Sequence, residues 1–142
     1  MIDQSEPSAV ILTLHRATHA TLHALAARLA GLGLNTSEIN AMANLADGRT
    51  RSIRELASDT ASKPTTLTSV LDRLVGKGYV TRELDPADRR SFLVSLTARG
   101  RRVADTARAA LRELERTALA EISDADLAGF RAVTRALTEV PG

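Results

Sequence analysis

The chain has 142 residues, 44% of them hydrophobic, and a formal net charge of +2, so it is long enough to bury one core without disulfide or metal staples. It contains no cysteine, which excludes disulfides, thiolate metal sites and thiol-based redox switches. No apolar run approaches the roughly 20 residues of a membrane span, and residues 1–7 lack a signal-peptide pattern, so we expect a cytoplasmic protein with no membrane partner.

Helical periodicity dominates the first third of the chain. A first helix is predicted over residues 8–30, because one stripe collects its large apolar residues: Ile11, Leu14, Leu22, Leu25 and Leu29. The glycines that follow end this helix. Asn35 with Glu38 three residues later is a capping-box pattern, and it predicts a second helix over residues 36–46.

Two short helices follow in close succession. Ser52 and Glu55 form another capping-box pattern, which predicts a third helix ending near Thr60. Ser62 can cap a fourth helix, in which Pro64 occupies the tolerant first turn. On that fourth helix an apolar stripe comprises Leu67, Val70, Leu71 and Leu74, and a polar face comprises Thr65, Thr68, Ser69, Asp72 and Arg73. Two tightly joined helices of this kind predict a helix-turn-helix.

A β-hairpin is predicted after the fourth helix, which Gly78 ends. Residues 79–84 and 91–96 alternate in polarity, and residues 85–90 form a charged turn. The turn contains neither Asn-Gly nor Asp-Gly, so we expect a loop longer than two residues.

Two helices complete the chain. Thr97 can cap a helix over residues 99–122, in whose first turn Gly100 is expected to cost up to ~1 kcal/mol relative to alanine. Ser123 can start a last helix that ends before Pro141. The predicted fold class is therefore mainly α with a small β-hairpin.

In this order of elements the sequence resembles the MarR family of bacterial winged helix-turn-helix transcription regulators. The resemblance is carried by Leu56-Ala57, Pro64-Thr-Thr-Leu-Thr68, Asp72-Arg73-Leu74, Gly78-Tyr-Val-Thr-Arg82, Asp85-Pro-Ala-Asp-Arg-Arg90 and Leu96-Thr-Ala-Arg-Gly100. It implies a single MarR-like domain over residues 1–142, with a DNA-binding lobe over about 35–97 and dimerisation helices over about 8–32 and 98–138. The hairpin is then the wing.

Duplex DNA is the expected partner of the fourth helix and the wing. Aromatic residues make up only 2% of the chain, which disfavours base-stacking binders of single strands or RNA. Short hydroxylated side chains allow a helix to approach phosphates and base edges closely in the major groove. The predicted DNA-binding residues are Ser62, Lys63, Thr65, Thr66, Thr68, Ser69, Arg73, Arg89 and Arg90. Many family members carry a longer, often basic residue where this chain has Ser69, so no operator preference is carried over.

Arg89 and Arg90 resemble the family's wing arginines, which enter the narrow minor groove, where the negative potential is strongest. One of the two can instead pair with Asp85 or Asp88 and hold the shape of the loop. Both interpretations are open at the level of sequence.

The predicted function is a sequence-specific DNA-binding regulator that acts as a homodimer on a pseudo-palindromic operator, as a repressor released by a small ligand. A dimer is expected because one recognition helix reads only one half-site. Sequence alone does not divide Leu111, Leu114, Phe130 and Leu137 between monomer core and dimer interface. The alternative is a winged-helix module for protein–protein assembly without DNA binding. No enzyme is predicted, because no nucleophile motif exists and no carboxylate is paired with the histidines.

All three histidines, His15, His19 and His23, lie on the first helix at spacings of four. Three such residues drift around the helix, so at most two could bind one ion, and neither a metal nor a cofactor is predicted. The family binds effectors, often anionic aromatic compounds, in a cleft lined partly by its first helix. That resemblance makes His15 and His19 candidate effector ligands, beside the plainer interpretation of interface or surface packing.

Overall fold

Six α-helices and a small sheet make up residues 9–141, which are the residues that the computed structural model describes. The helices are α1 (Ala9–Arg28), α2 (Thr36–Leu45), α3 (Ile53–Asp59), α4 (Pro64–Gly76), α5 (Ala98–Ala118) and α6 (Asp124–Thr138). The strands are β1 (Arg51–Ser52), β2 (Val80–Leu84) and β3 (Phe92–Leu96), and a 3-10 turn covers Ala30–Leu32. The predicted fold class is confirmed, although the expected start of the first helix at Ser8 lies outside the described residues.

The chain divides within α5 into two compact units, one up to Leu111 and one from Arg112 onward. The core of the first unit is built from fully buried aliphatic side chains of α2, α3, α4 and the sheet, and it includes Ile39, Met42, Leu45, Leu56, Leu67, Leu71, Leu74, Val80 and Val94. Every member of the apolar stripe predicted on α4 is buried. The opposite face of that helix is therefore the one that points to solvent.

The sheet has the order β1-β3-β2, with both pairings antiparallel. In the hairpin, the register runs from Val80 opposite Leu96 to Leu84 opposite Phe92, and the long loop over residues 85–91 is as expected. Strand β1 was not predicted, because two residues are too few to show an alternating pattern.

Buried Arg51 explains why so short a strand forms. Its Nη2 lies 2.5 Å from Asp47 Oδ2, and its Nε lies 2.9 Å from Asp59 Oδ2. The hydrogen bond from Arg51 lowers the pKa of Asp47 to about 2. Strand β1 is therefore held by its backbone pairing with β3 and by two ion pairs of Arg51. One of these carboxylates precedes the strand in the sequence and the other follows it.

Most of the predicted helix starts are confirmed. Asn35 and Glu38 form the full capping box of α2, and the side chains of Ser52 and Ser123 accept hydrogen bonds from the N–H groups of Glu55 and Asp126. The cap assigned to Ser62 is wrong. The residue that precedes α4 is Lys63, which makes no side-chain capping bond, while the Ser62 hydroxyl donates to the Thr60 carbonyl at 3.4 Å.

The turn of the helix-turn-helix contains the one non-glycine residue with a positive φ among the described residues, Ala61 at 53°. The Ser62 N–H donates to the Ala57 carbonyl at 2.9 Å, and the Ala61 N–H donates to Ser58 at 3.2 Å, which is the Schellman pattern. The same pattern ends α4, but there Gly78 occupies the left-handed position with φ 77°.

Ala61→Gly is expected to raise the free energy of unfolding by about 0.5–1 kcal/mol, because the left-handed penalty of about 1–2 kcal/mol exceeds the entropy that glycine adds to the unfolded chain. Gly78→Ala is the mirror control and should lower it by a similar amount, since its added Cβ meets nothing closer than an Arg99 side-chain atom at 3.9 Å. Urea unfolding of both variants measures the two changes. If both substitutions changed the free energy of unfolding in the same direction, the left-handed backbone would not explain the effect.

Candidate nucleic-acid interface

The two faces of α4 differ completely in burial. Opposite the buried apolar stripe, the exposed residues in and just before this helix include six of the predicted contacts: Lys63, Thr65, Thr66, Thr68, Ser69 and Arg73. Ser62 is half-buried. The Thr68 hydroxyl donates to the Pro64 carbonyl at 2.9 Å, which leaves its methyl group and oxygen lone pair on the surface. The polar face is therefore small, uncrowded and able to approach a groove closely.

The N-terminus of α4 is open to an anion. The Leu67 N–H donates to the Lys63 carbonyl, but the N–H groups of Thr65 and Thr66 find no acceptor within the described part of the chain. Free N–H groups at a helix N-terminus attract negative charge, and the exposed Lys63 adds a full positive charge beside them. This end of the helix suits a backbone phosphate.

The wing loop is held in shape by its own acidic residues. The Asp85 N–H donates to the Ser91 carbonyl at 2.9 Å, and the Ser91 N–H donates to the Asp88 carbonyl at 3.0 Å. The carboxylates act locally as well: Asp85 accepts from the Ala87 N–H at 2.9 Å, and Asp88 accepts from the Arg90 N–H at 3.1 Å. The loop is thus closed without help from the arginine side chains.

Both wing arginines are exposed, and they differ in their partners. Arg90 Nε lies 3.6 Å from Asp88 Oδ1 although its side chain is 94% exposed. Arg89 has no ion pair within the described part of the chain. Of the two arginines, Arg90 is therefore the one that pairs with a loop carboxylate. The pair stabilises the loop only slightly, because an ion pair this exposed contributes little to stability.

Positive charge is concentrated in the first unit. Residues 49–102 contain twelve arginines and lysines against six acidic residues, whereas the whole chain has a net charge of +2. Sequence reasoning missed Arg54, which is exposed in the first turn of α3 and has no acidic partner among the described side chains. Its signal was available, because the first helix of a helix-turn-helix crosses the DNA backbone.

Arg73 is partly engaged within the protein. Its Nε lies 3.7 Å from Oε1 of Glu38, a side chain only 4% exposed, and Lys77 Nζ lies 2.6 Å from Oε2 of the same carboxylate. Lys77 also donates to the Gly33 carbonyl at 3.1 Å. Glu38 therefore ties the last turn of α4 to the start of α2, and the exposed Arg73 side chain is partly held by this carboxylate.

The three histidines of α1 are exposed, and the rings of His19 and His23 stack with centroids 6.5 Å apart. Near the end of α1, Leu25 and Leu29 are buried, whereas Val10, Ile11 and Leu12 at its start are each more than half exposed. No group of three or more metal-ligating side chains occurs among the described residues. None of the described helices is long and apolar enough to cross a membrane.

In the second unit, helix α6 also has an uncovered apolar surface. Phe130 is 57% exposed and Val133 47% exposed, and Leu119 and Ile122 precede the helix with similar exposure. Removing a side chain as apolar as that of phenylalanine from water lowers the free energy substantially.

Comparison with known proteins gives one family and many similar folds. The sequence model of the MarR family matches residues 34–92. A search of curated protein sequences finds no match. The structure of NadR in complex with 4-hydroxyphenylacetate aligns with a TM-score of 0.84 at 20% identity, covering 99% of this chain and 100% of that one.

Two further structures are more similar in sequence. CouR from Rhodococcus jostii RHA1, bound to p-coumaroyl-CoA, aligns with a TM-score of 0.82 at 25% identity and covers 99% of both chains. A MarR-family transcriptional regulator from Silicibacter pomeroyi aligns with a TM-score of 0.76 at 28% identity, covering 88% of this chain and 84% of that one. These similarities extend beyond residues 34–92 to the helices on both sides.

Proposed function

We propose that the chain, whose residues 34–92 match the MarR family of transcriptional regulators, is a cytoplasmic, homodimeric repressor of that family that binds a pseudo-palindromic operator and is released by a small ligand. It would act as one MarR-like domain, with α4 in the major groove and the wing in the minor groove. The proposed contacts are Ser62, Lys63, Thr65, Thr66, Thr68, Ser69, Arg73, Arg89 and Arg90.

The observation that carries this proposal is the division of α4 into two faces. One face is fully buried, and the other presents short hydroxyl groups with an uncapped, positively charged N-terminus. In a helix that lies against DNA, the free N–H groups and the positive charge can bind a phosphate, and the short hydroxyl side chains can approach base edges. A helix that faces only solvent gains nothing from these features.

A homodimer is proposed because one copy of α4 reads one half-site, and two copies about 34 Å apart read adjacent turns of the same groove face. The exposed apolar residues at the start of α1 and on α6 are suitable for an interface between two copies. Sedimentation of the purified protein measures its mass. A monomer at micromolar concentration would contradict the proposal.

Binding to genomic duplex fragments tests DNA recognition directly. Fragments retained by the protein should be displaced by salt, with affinity falling about 10³-fold or more between 50 and 200 mM if about six phosphate contacts form. Retention that is absent at low salt would instead favour the assembly module, and a protein partner would then be sought.

The effector is proposed to be an anionic aromatic compound. Structures of CouR and NadR contain p-coumaroyl-CoA and 4-hydroxyphenylacetate, and both ligands combine an aromatic ring with a negatively charged group. His15 and His19 are exposed on α1 and can donate hydrogen bonds to such a group. The ligand would release DNA by favouring a dimer whose two recognition helices no longer match the half-site spacing.

Titration of phenolic acids and their thioesters into the operator complex tests this step. His15→Gln with His19→Gln should weaken release by a compound that binds the wild-type protein, and His23→Gln is the matched control on the same helix. A bound compound that leaves DNA affinity unchanged would contradict the effector proposal without affecting DNA recognition.

A further inference from the structure

An ion pair joins the recognition helix to the wing. Arg82 Nη2 in β2 lies 2.7 Å from Asp72 Oδ1 in α4, with the two side chains 28% and 57% exposed. Asp72 follows Thr65 by seven residues and Thr68 by four, so it lies on the same face as these proposed DNA contacts. It is the one acidic residue in α4.

An unpaired carboxylate on this face would oppose DNA binding. Phosphates carry one negative charge per ~1.7 Å of duplex axis, and a nearby aspartate repels them at short range in a partly desolvated interface. The guanidinium of Arg82 removes this net charge. Arg82 is also the middle residue of β2 and is paired across the sheet with buried Val94, so its backbone is firmly held.

We propose that Arg82 is a positioning residue for DNA binding, which holds the Asp72 carboxylate against β2, neutralises it and fixes the recognition helix relative to the wing. Arg82 acts through Asp72 and does not itself contact phosphate. This inference rests on the proposed DNA-binding function.

A double-mutant cycle on the full-length protein tests the inference with Arg82→Gln, Asp72→Asn and the pair together, using a duplex fragment that the wild-type protein retains. Arg82→Gln alone should weaken DNA binding about tenfold, because it leaves one uncompensated negative charge beside the phosphates. Adding Asp72→Asn should restore the affinity to within about threefold of the wild type, since the charge and its repulsion are then both removed.

The salt dependence separates positioning from direct contact. Arg82→Gln should leave the slope of log affinity against log salt unchanged, whereas Lys63→Gln, the reference for a proposed phosphate contact, should reduce it by about one. Thermal unfolding of each variant reports stability, and a purely structural role would change the unfolding midpoint but not affinity measured well below it.

The matched control is the pair of Arg116 and Glu113 in α5, which is also an exposed arginine–carboxylate ion pair. Arg116 Nη2 lies 2.5 Å from Glu113 Oε1. The corresponding glutamine variants should show no coupling in DNA binding. Equal losses from Arg82→Gln in the presence and absence of Asp72→Asn would overturn the inference in favour of a direct phosphate contact. If Asp72→Asn instead lowered the affinity only for fragments with a particular base pair at one position of the site, that result would overturn the inference, because Asp72 would then read a base. Failure of the wild-type protein to bind any duplex would overturn the proposed function first.

Discussion

Reversing both wing charges, Arg89→Glu with Arg90→Glu, is expected to reduce affinity for duplex DNA by about a hundredfold or more at moderate salt. Both side chains are exposed, and Arg89 has no ion pair within the described part of the chain, so little protein structure depends on them. The loop is closed instead by backbone bonds of Asp85, Asp88 and Ser91. The variant should therefore unfold at the same temperature as the wild type while losing DNA binding, as gel retardation and calorimetry would show.

The control for this variant is Arg28→Glu with Arg112→Glu, which makes the same change in net charge at two exposed helical positions. If the wing enters the groove, the control should lose much less affinity than the wing variant. Equal losses would indicate that only the total charge matters, and they would contradict a specific role for the wing.

Gly100→Ala is expected to lower the free energy of unfolding by about 3 kcal/mol or more, which corresponds to a fall of about 10 °C in Tm. A Cβ on Gly100 would lie 1.8 Å from the Tyr79 carbonyl oxygen and 2.7 Å from its carbon. Both neighbours are backbone atoms, which cannot rotate away as a side-chain tip can. The gain of about 1 kcal/mol in helix propensity is too small to compensate.

This outcome reverses the expectation from sequence, in which Gly100 only weakened its helix. The close approach exists because Thr97 joins the start of α5 to the segment between α4 and β2: its Oγ1 accepts from the Gly100 N–H at 2.9 Å and donates to the Gly78 carbonyl at 2.7 Å. Its N–H also donates to the Tyr79 carbonyl at 3.1 Å. The start of α5 is thereby fastened to the end of the recognition helix.

Gly76→Ala is the matched control, because Gly76 is also helical and its added Cβ meets nothing within 4 Å. It should be neutral or stabilising by up to about 1 kcal/mol. Unfolding in urea measures both variants, and a Gly100→Ala protein as stable as Gly76→Ala would show that the α5 junction can shift freely.

Much of the candidate interface was predictable from sequence because it depends on local periodicity. The spacing of Leu67, Val70, Leu71 and Leu74 determines which face of α4 is buried, and the opposite face with Thr65 and Ser69 follows from helix geometry alone. Helix geometry likewise places Arg54 on the exposed side of α3, opposite the buried Leu56.

The sequence by itself determined the order of helices, their caps at Asn35 and Ser123 and the polar face of α4, because these depend on residues within about four positions of each other. It also determined the hairpin, because each of its two strands alternates in polarity and a charged turn joins them. Only the tertiary structure decided that β1 pairs with β3, that Arg82 forms an ion pair with Asp72, and that a Cβ at Gly100 would overlap the Tyr79 backbone. Each of these three features joins residues at least ten positions apart in the sequence. Their spacing along the chain follows no period, so only the packed core brings them together.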